Sequence, residues 1–175
     1  MGREGWAIWI TGLPSSGKST LARILKDKLA LLGVDLQILE SDTLRRVLTP
    51  NPTYSPEERE VFYKSMVYIG SLLTRNGVNV IFDATAAKGR WRRLARGLID
   101  KFLQVYIRCP LEVCRGRDVK GIYKKGETGE SRYVPGLQEE YEAPYDADVE
   151  IDCVKDSPEE SADKIIEVMR QNGFI

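Results

Sequence analysis

The stretch "WAIWITGLPSSGKSTLARIL", residues 6–25, decides the fold. An apolar run rich in Trp and Ile ends at Gly12. After four intervening residues come Gly17, Lys18 and Ser19, and helix-forming residues follow. A strand, a G-x-x-x-x-G-K-S turn and a helix in that order form the P-loop pattern. Its glycines let the backbone curl so that successive N–H groups point inward, and the helix start adds the positive end of its dipole. Gly12, Leu13, Pro14, Ser15, Ser16, Gly17, Lys18, Ser19 and Thr20 are therefore read as the cradle for the phosphates of ATP. Lys18 is expected on the β and γ phosphates and Ser19 on Mg²⁺.

Outward from the loop, further strand-like runs stand at 36–40, 78–83, 103–109 and 148–152, with helix-like segments between them. That alternation predicts an α/β, three-layer P-loop NTPase fold: about five parallel strands flanked by helices, in a single domain over 1–175. "SPEE" occurs at Ser55–Glu58 and again at Ser157–Glu160. Each reads as a capping box with Pro at the first helical position, opening helices that end near Asn76 and Asn172. Residues 115–147, rich in charge, Gly and Tyr, lack apolar periodicity and read as a lid or binding loop.

Composition removes several classes of function. Lys plus Arg equals Asp plus Glu at 26 each, so nothing in the net charge points to a nucleic acid or an anionic membrane. No apolar run approaches membrane-spanning length and no signal-peptide pattern opens the chain, so a soluble cytoplasmic protein is expected. Histidine is absent, which excludes histidine triads, ligands and general bases. Cys109, Cys114 and Cys153 have no C-x-x-C spacing and an odd count, which fits buried thiols in a reducing cytosol better than a disulfide framework.

The second strand runs into "ESDTLRRVL", bringing Glu40, Asp42 and Arg45 to the carboxyl end of a parallel strand, where open α/β sheets bind ligands. If the strand continued, Glu40 and Asp42 would share one face. Asp42 is a candidate to orient or deprotonate an acceptor hydroxyl, and a helix N-cap is its plain alternative. In "VIFDAT", residues 80–85, Asp83 ends the third strand. It is read as a Walker-B-type carboxylate holding Mg²⁺ or as an acceptor contact, with a polar strand stop as the plain alternative.

No N-K-x-D or T-K-x-D guanine motif occurs, which argues against a Ras-type GTPase. Instead, "SDTLRRVL", "YSPEERE" and above all "PLEVCRGRDVKGIYKKG" at 110–126 resemble the D-G-D-N-x-R, F-S-x-x-x-R and lid segments of the adenylylsulfate (APS) kinases. The resemblance spans nearly the whole chain. It implies a kinase that moves the γ-phosphoryl group of MgATP to the 3′-hydroxyl of a small-molecule acceptor, APS, in a family whose members are often dimers. By position it implies Asp42 as base or orienter, Arg45 and Arg59 on the acceptor's phosphosulfate, Tyr54 near the acceptor, Lys120 on the charged ligands and Arg117 over the ATP side; Asp42 and Lys18 of the P-loop are the catalytic pair expected.

Departures from the family pattern fall on the acceptor side. Glu40-Ser41 replaces D-G, Phe62 stands where the family has Asn, Val134 replaces the adenine-stacking Phe beside Tyr133, and "FDATA" replaces S-F-I-S-P. Phe62, Asp83, Tyr133 and Val134 are thus expected to face the acceptor. These changes keep two alternatives open: a P-loop kinase of another hydroxylated metabolite or nucleotide, and a nucleotide-binding regulatory module.

Overall fold

A computed structural model describes residues 4–175. The P-loop strand, β1 (Ala7–Thr11), is buried on both faces, and its alternating side chains divide between two cores. Ile8 and Ile10 pack with Leu21, Leu25 and Leu29 of α1 (Lys18–Leu31) and with Ile165 and Met169 of α7 (Pro158–Gln171). Ala7 and Trp9 pack with Phe62 and Met66 of α3 (Pro56–Arg75) and with Trp91 and Ala95 of α4 (Gly89–Leu98). A strand carrying large apolar residues in both directions needs helices on both sides, which produces the three layers.

Four more strands join β1: β2 (Leu36–Glu40), β3 (Asn79–Asp83), β4 (Phe102–Arg108) and β5 (Val149–Asp152). The sheet is parallel throughout, in the order β2-β3-β1-β4-β5. Chain order reverses at β1, so a crevice opens at the carboxyl ends of β1, β3 and β4. Register sets what lines it: Asp83 lies opposite Ile10 on one side and Glu40 on the other. α3 lies tight on the sheet at Gly70, where an added Cβ would come within 2.1 Å of the Phe82 ring.

The structure departs from several expectations. β2 ends at Glu40 and α2 (Ser41–Leu48) begins at once, so Asp42 sits in a first helical turn rather than sharing a strand face with Glu40. It is not the N-cap either, a position that Glu40 takes. The capping box at Ser157 and Glu160 is complete, whereas at Ser55 only half forms. There the Glu58 N–H donates to Ser55 Oγ, but the Glu58 carboxylate turns away to accept from Thr53 and Tyr54.

The segment read as an irregular lid carries α6 (Ile122–Glu127), and α5 (Leu111–Arg117) runs into its start. Tyr123, Gly126 and Val134 are buried. Cys109 and Cys153 are joined in a disulfide, with Cα atoms 5.2 Å apart, so two of the three expected thiols are paired. Spacing along the chain concealed this. Arg108 and Asp152 are register partners on β4 and β5, which makes the next residue on each strand a neighbour of the other. Cys114 is free and buried.

Candidate active site

The loop between β1 and α1 adopts backbone angles that few side chains tolerate: φ is 63° at Ser15 and 102° at Gly17. At Gly12 a Cβ would stand 2.8 Å from both the Ile107 carbonyl oxygen and Ser16 Oγ, so only glycine lets the chain turn against β4. Lys18 folds back across the loop and donates to the carbonyl oxygens of Gly12 at 3.2 Å and Leu13 at 2.9 Å. Burial pushes its ammonium down to about 8, against the pull of the Asp83 carboxylate. Ser16 Oγ is buried and has no hydrogen-bond partner among the described residues. From Pro14 to Leu21 the loop and first helical turn line a cleft of about 1400 Å³, with Gly12 and Leu13 outside its lining.

Facing Lys18 is Asp83, only 4% exposed. Burial raises its carboxyl above the ordinary range, while a hydrogen bond from Ser19 and the charge of Lys18 act the other way. Glu40 and Asp42 add negative charge nearby and raise it further. Thr43 holds the Glu40 carboxylate at 2.9 Å. Half-exposed Asp42 forms an ion pair with Lys120, which lies between α5 and α6 and whose ammonium that hydrogen bond pushes upward. Three carboxylates at and just beyond the carboxyl ends of β2 and β3 therefore share one space beside the phosphate loop with the ammonium groups of Lys18, at the start of α1, and Lys120, from the lid segment. A Ser hydroxyl beside a carboxylate is a donor set suited to Mg²⁺, which takes few protein ligands and completes its shell from phosphates and water.

Across the cleft stand Arg45, Tyr54, Arg59 and Tyr133. The Arg45 guanidinium lies 3.9 Å from the centre of the Phe62 ring and 4.8 Å from that of Tyr54, and donates to Glu58 at 3.3 Å. Tyr54 has φ 57°, a left-handed conformation that is costly for an aromatic residue. Each nitrogen of Arg59 bonds protein: Nε the Tyr54 carbonyl, Nη1 the Glu139 carboxylate and Nη2 the Tyr133 carbonyl. Tyr54 and Tyr133 remain partly exposed at 37% each and line the cleft.

Residues 4–152 match the family model for adenylylsulphate kinase. The chain belongs to the adenylylsulfate kinase family. It is 40% identical to a probable adenylyl-sulfate kinase of Pyrococcus abyssi, over 98% of this chain and 99% of that one. It is 36% identical to an adenylyl-sulfate kinase of Rippkaea orientalis, over 100% and 97%. Among solved structures it is similar to a Mycobacterium tuberculosis APS kinase in complex with AMPPNP and APS. The TM-score there is 0.89 at 28% identity, covering 97% of this chain and 99% of that one. The parallel five-stranded sheet flanked by helices is the fold of this kinase family.

In this family member one residue expected at the acceptor lies elsewhere. Phe62 is fully buried in the core between α3 and the sheet and is absent from the cleft lining, because its position on α3 faces Met66 and Trp9 rather than solvent. It reaches the site only as the ring beneath Arg45. Val134 is 2% exposed at the cleft edge and packs on Gly126, leaving Tyr133 as the exposed aromatic surface. Arg117 lines the other end of the cleft, where it donates to the Cys153 carbonyl at 3.3 Å and contacts Cys109 Sγ at 4.0 Å.

The sequence reading missed two groups. Glu139 carries no motif, and its pairing with Arg59 spans 80 positions of the chain. Arg92 of α4 is buried and donates to Thr11 Oγ1 at 3.1 Å, to the Ala86 carbonyl at 2.9 Å and to the Glu142 carbonyl. Tyr141, whose hydroxyl burial pushes up to about 12, closes the same cluster through Thr11. Arg92, Thr11 and Tyr141 thereby fasten the far end of the lid segment to the end of β1. One arginine among the four of "GRWRRLARGL" carries no motif, so nothing in the sequence signalled this.

Proposed function

We propose that this chain, as one kinase domain over 1–175, transfers the γ-phosphoryl group of ATP to the 3′-hydroxyl of adenylyl sulfate. The observation that carries the reading is the cleft. A P-loop with its lysine and three converging carboxylates forms one wall, and arginines with two exposed tyrosines form the other, in a chain of this family. The donor side gathers phosphate-binding groups, and the acceptor side offers aromatic faces and cations to a molecule with a base and an anionic tail.

In this mechanism the loop N–H groups, the α1 dipole and Lys18 hold the ATP phosphates and offset charge as the γ-phosphoryl group departs. Arg117 lies against the nucleoside end of ATP. Lys120 leaves Asp42 to contact bound anionic groups. The freed Asp42 carboxylate then orients the acceptor hydroxyl and takes its proton late, as suits a loose transition state. Arg45 meets the acceptor's phosphosulfate, with its planar fork aimed by stacking on Phe62. Tyr54 and Tyr133 flank the adenine, with Val134 behind. Ser19 and Asp83 are the residues that would hold Mg²⁺, and a bound cation would neutralise phosphate charge there.

We further propose a homodimer. α3 presents Val61, Tyr68 and Leu72 to solvent along one outer stripe, an apolar surface that a second copy would cover; a monomeric mass in solution would remove that part. A cytoplasmic setting is proposed from the need for MgATP alone, since the disulfide removes the support that unpaired cysteines would have lent. No helix among the described residues is long and apolar enough to cross a membrane.

One assay tests the activity: ADP release with MgATP alone, with APS added, and with a panel of other hydroxylated acceptors. Strong stimulation by APS is expected. If APS neither accelerates ADP release nor raises the melting temperature, the reading fails.

A further inference from the structure

We propose that Glu139 is a positioning residue for the acceptor. Acting through Arg59, it holds Tyr133 against the acceptor base, and this role rests on the acceptor assignment made above. One guanidinium joins three separate pieces of chain: Tyr54 ahead of α3 through Nε, Tyr133 of the lid segment through Nη2, and Glu139 through Nη1. Both carbonyls it grips belong to the two tyrosines exposed to the cleft. The orientation of Arg59 therefore sets how those tyrosines stand relative to each other.

Glu139 fixes that orientation. Its side chain is 15% exposed against 8% for Arg59, so the pair sits mostly out of water, where removing one charge strands the other. The carboxylate is itself held on a stiff turn. Glu139 N–H donates to the Val134 carbonyl at 3.1 Å, Gly136 N–H to the Glu139 carbonyl at 2.8 Å, and Gln138 ties Val134 N–H to the Gly126 carbonyl. Residues 133–139 thus form one closed unit that Arg59 grips at both ends. Tyr54, strained at φ 57°, needs an outside restraint, and it receives one from Arg59 and another from Glu58. Three of the five Arg59 N–H groups are engaged by protein at these two tyrosines and Glu139, so Arg59 serves the wall that faces the base.

The test is steady-state kinetics on Glu139→Gln and Glu139→Asp, each alone and in a Tyr133→Ala background, with melting temperatures recorded. For Glu139→Gln we expect the KM for APS to rise about tenfold, with kcat at saturating APS and the KM for ATP within about twofold of wild type. Glu139→Asp should recover most of the loss. In the Tyr133→Ala background Glu139→Gln should change the APS KM less than about twofold, because the residue through which it acts is gone. The proposal is overturned by an unchanged or lowered APS KM, by equal changes in the KM values for APS and ATP, or by the same factor in both backgrounds. Absence of APS turnover in the wild-type protein would instead defeat the activity itself before Glu139 is altered, and this proposal with it.

Discussion

Lys18 is held where its charge is costly, and the substitution Lys18→Met separates that cost from its function. The change keeps an unbranched side chain one atom shorter and removes the charge. Burial takes the ammonium from 10.5 to about 8 in the folded chain. At ~1.4 kcal/mol per unit, keeping it protonated at pH 7 costs the fold about 3 kcal/mol. Methionine also forfeits the bonds to Gly12 and Leu13, worth about 1 kcal/mol each, so a net gain of about 1–2 kcal/mol is expected at pH 7.

Because the folded pKa is depressed, wild-type stability rises between about 8 and 10.5 as the native protein sheds a proton that the unfolded chain keeps. The thioether of the Lys18→Met variant cannot titrate. The advantage of the variant should therefore shrink by about 2 kcal/mol between pH 7 and 9.5, as measured by urea unfolding without nucleotide. An advantage independent of pH would refute the burial argument, as would a variant less stable at pH 7 than at 9.5 relative to wild type. Loss of phosphoryl transfer should accompany the gain in stability.

Other changes probe separate parts of the cleft. Asp42→Asn should lower kcat by at least about a hundredfold while ATP affinity, read by calorimetry, changes less than about threefold. Asp83→Asn should raise the Mg²⁺ concentration for half-maximal activity about tenfold with APS affinity kept, and an unchanged Mg²⁺ titration would remove Asp83 from the metal side. Gly12→Ala should cost about 1–3 kcal/mol in thermal unfolding and weaken ATP binding, since the new methyl group meets the Ile107 carbonyl oxygen at 2.8 Å.

What the sequence made legible was local chemistry. The P-loop, the five strand positions, the helix starts at Ser55 and Ser157 and the family lid signature each depend on residues close together in the chain. Features created by register or by distant pairing were hidden. The Cys109–Cys153 disulfide follows from how β5 aligns with β4, and the pairing of Arg59 with Glu139 joins residues 80 positions apart. Phe62 misled because an aromatic at a family substrate position suggests contact. The face of α3 on which it falls turns it into the core, and its influence passes through Arg45. Asp42 misled in a smaller way, since the strand stops two residues earlier than a shared face would require.

The central claim is that phosphate passes from ATP to one particular hydroxyl of adenylyl sulfate. Phosphorus NMR of the products from MgATP and APS tests this directly. The expected result is a new phosphomonoester on the 3′ oxygen, formed one for one with ADP, with the phosphosulfate intact and with no product when the acceptor lacks its 3′-hydroxyl. Formation of ADP without that monoester, or undiminished turnover of the 3′-deoxy acceptor, would contradict it.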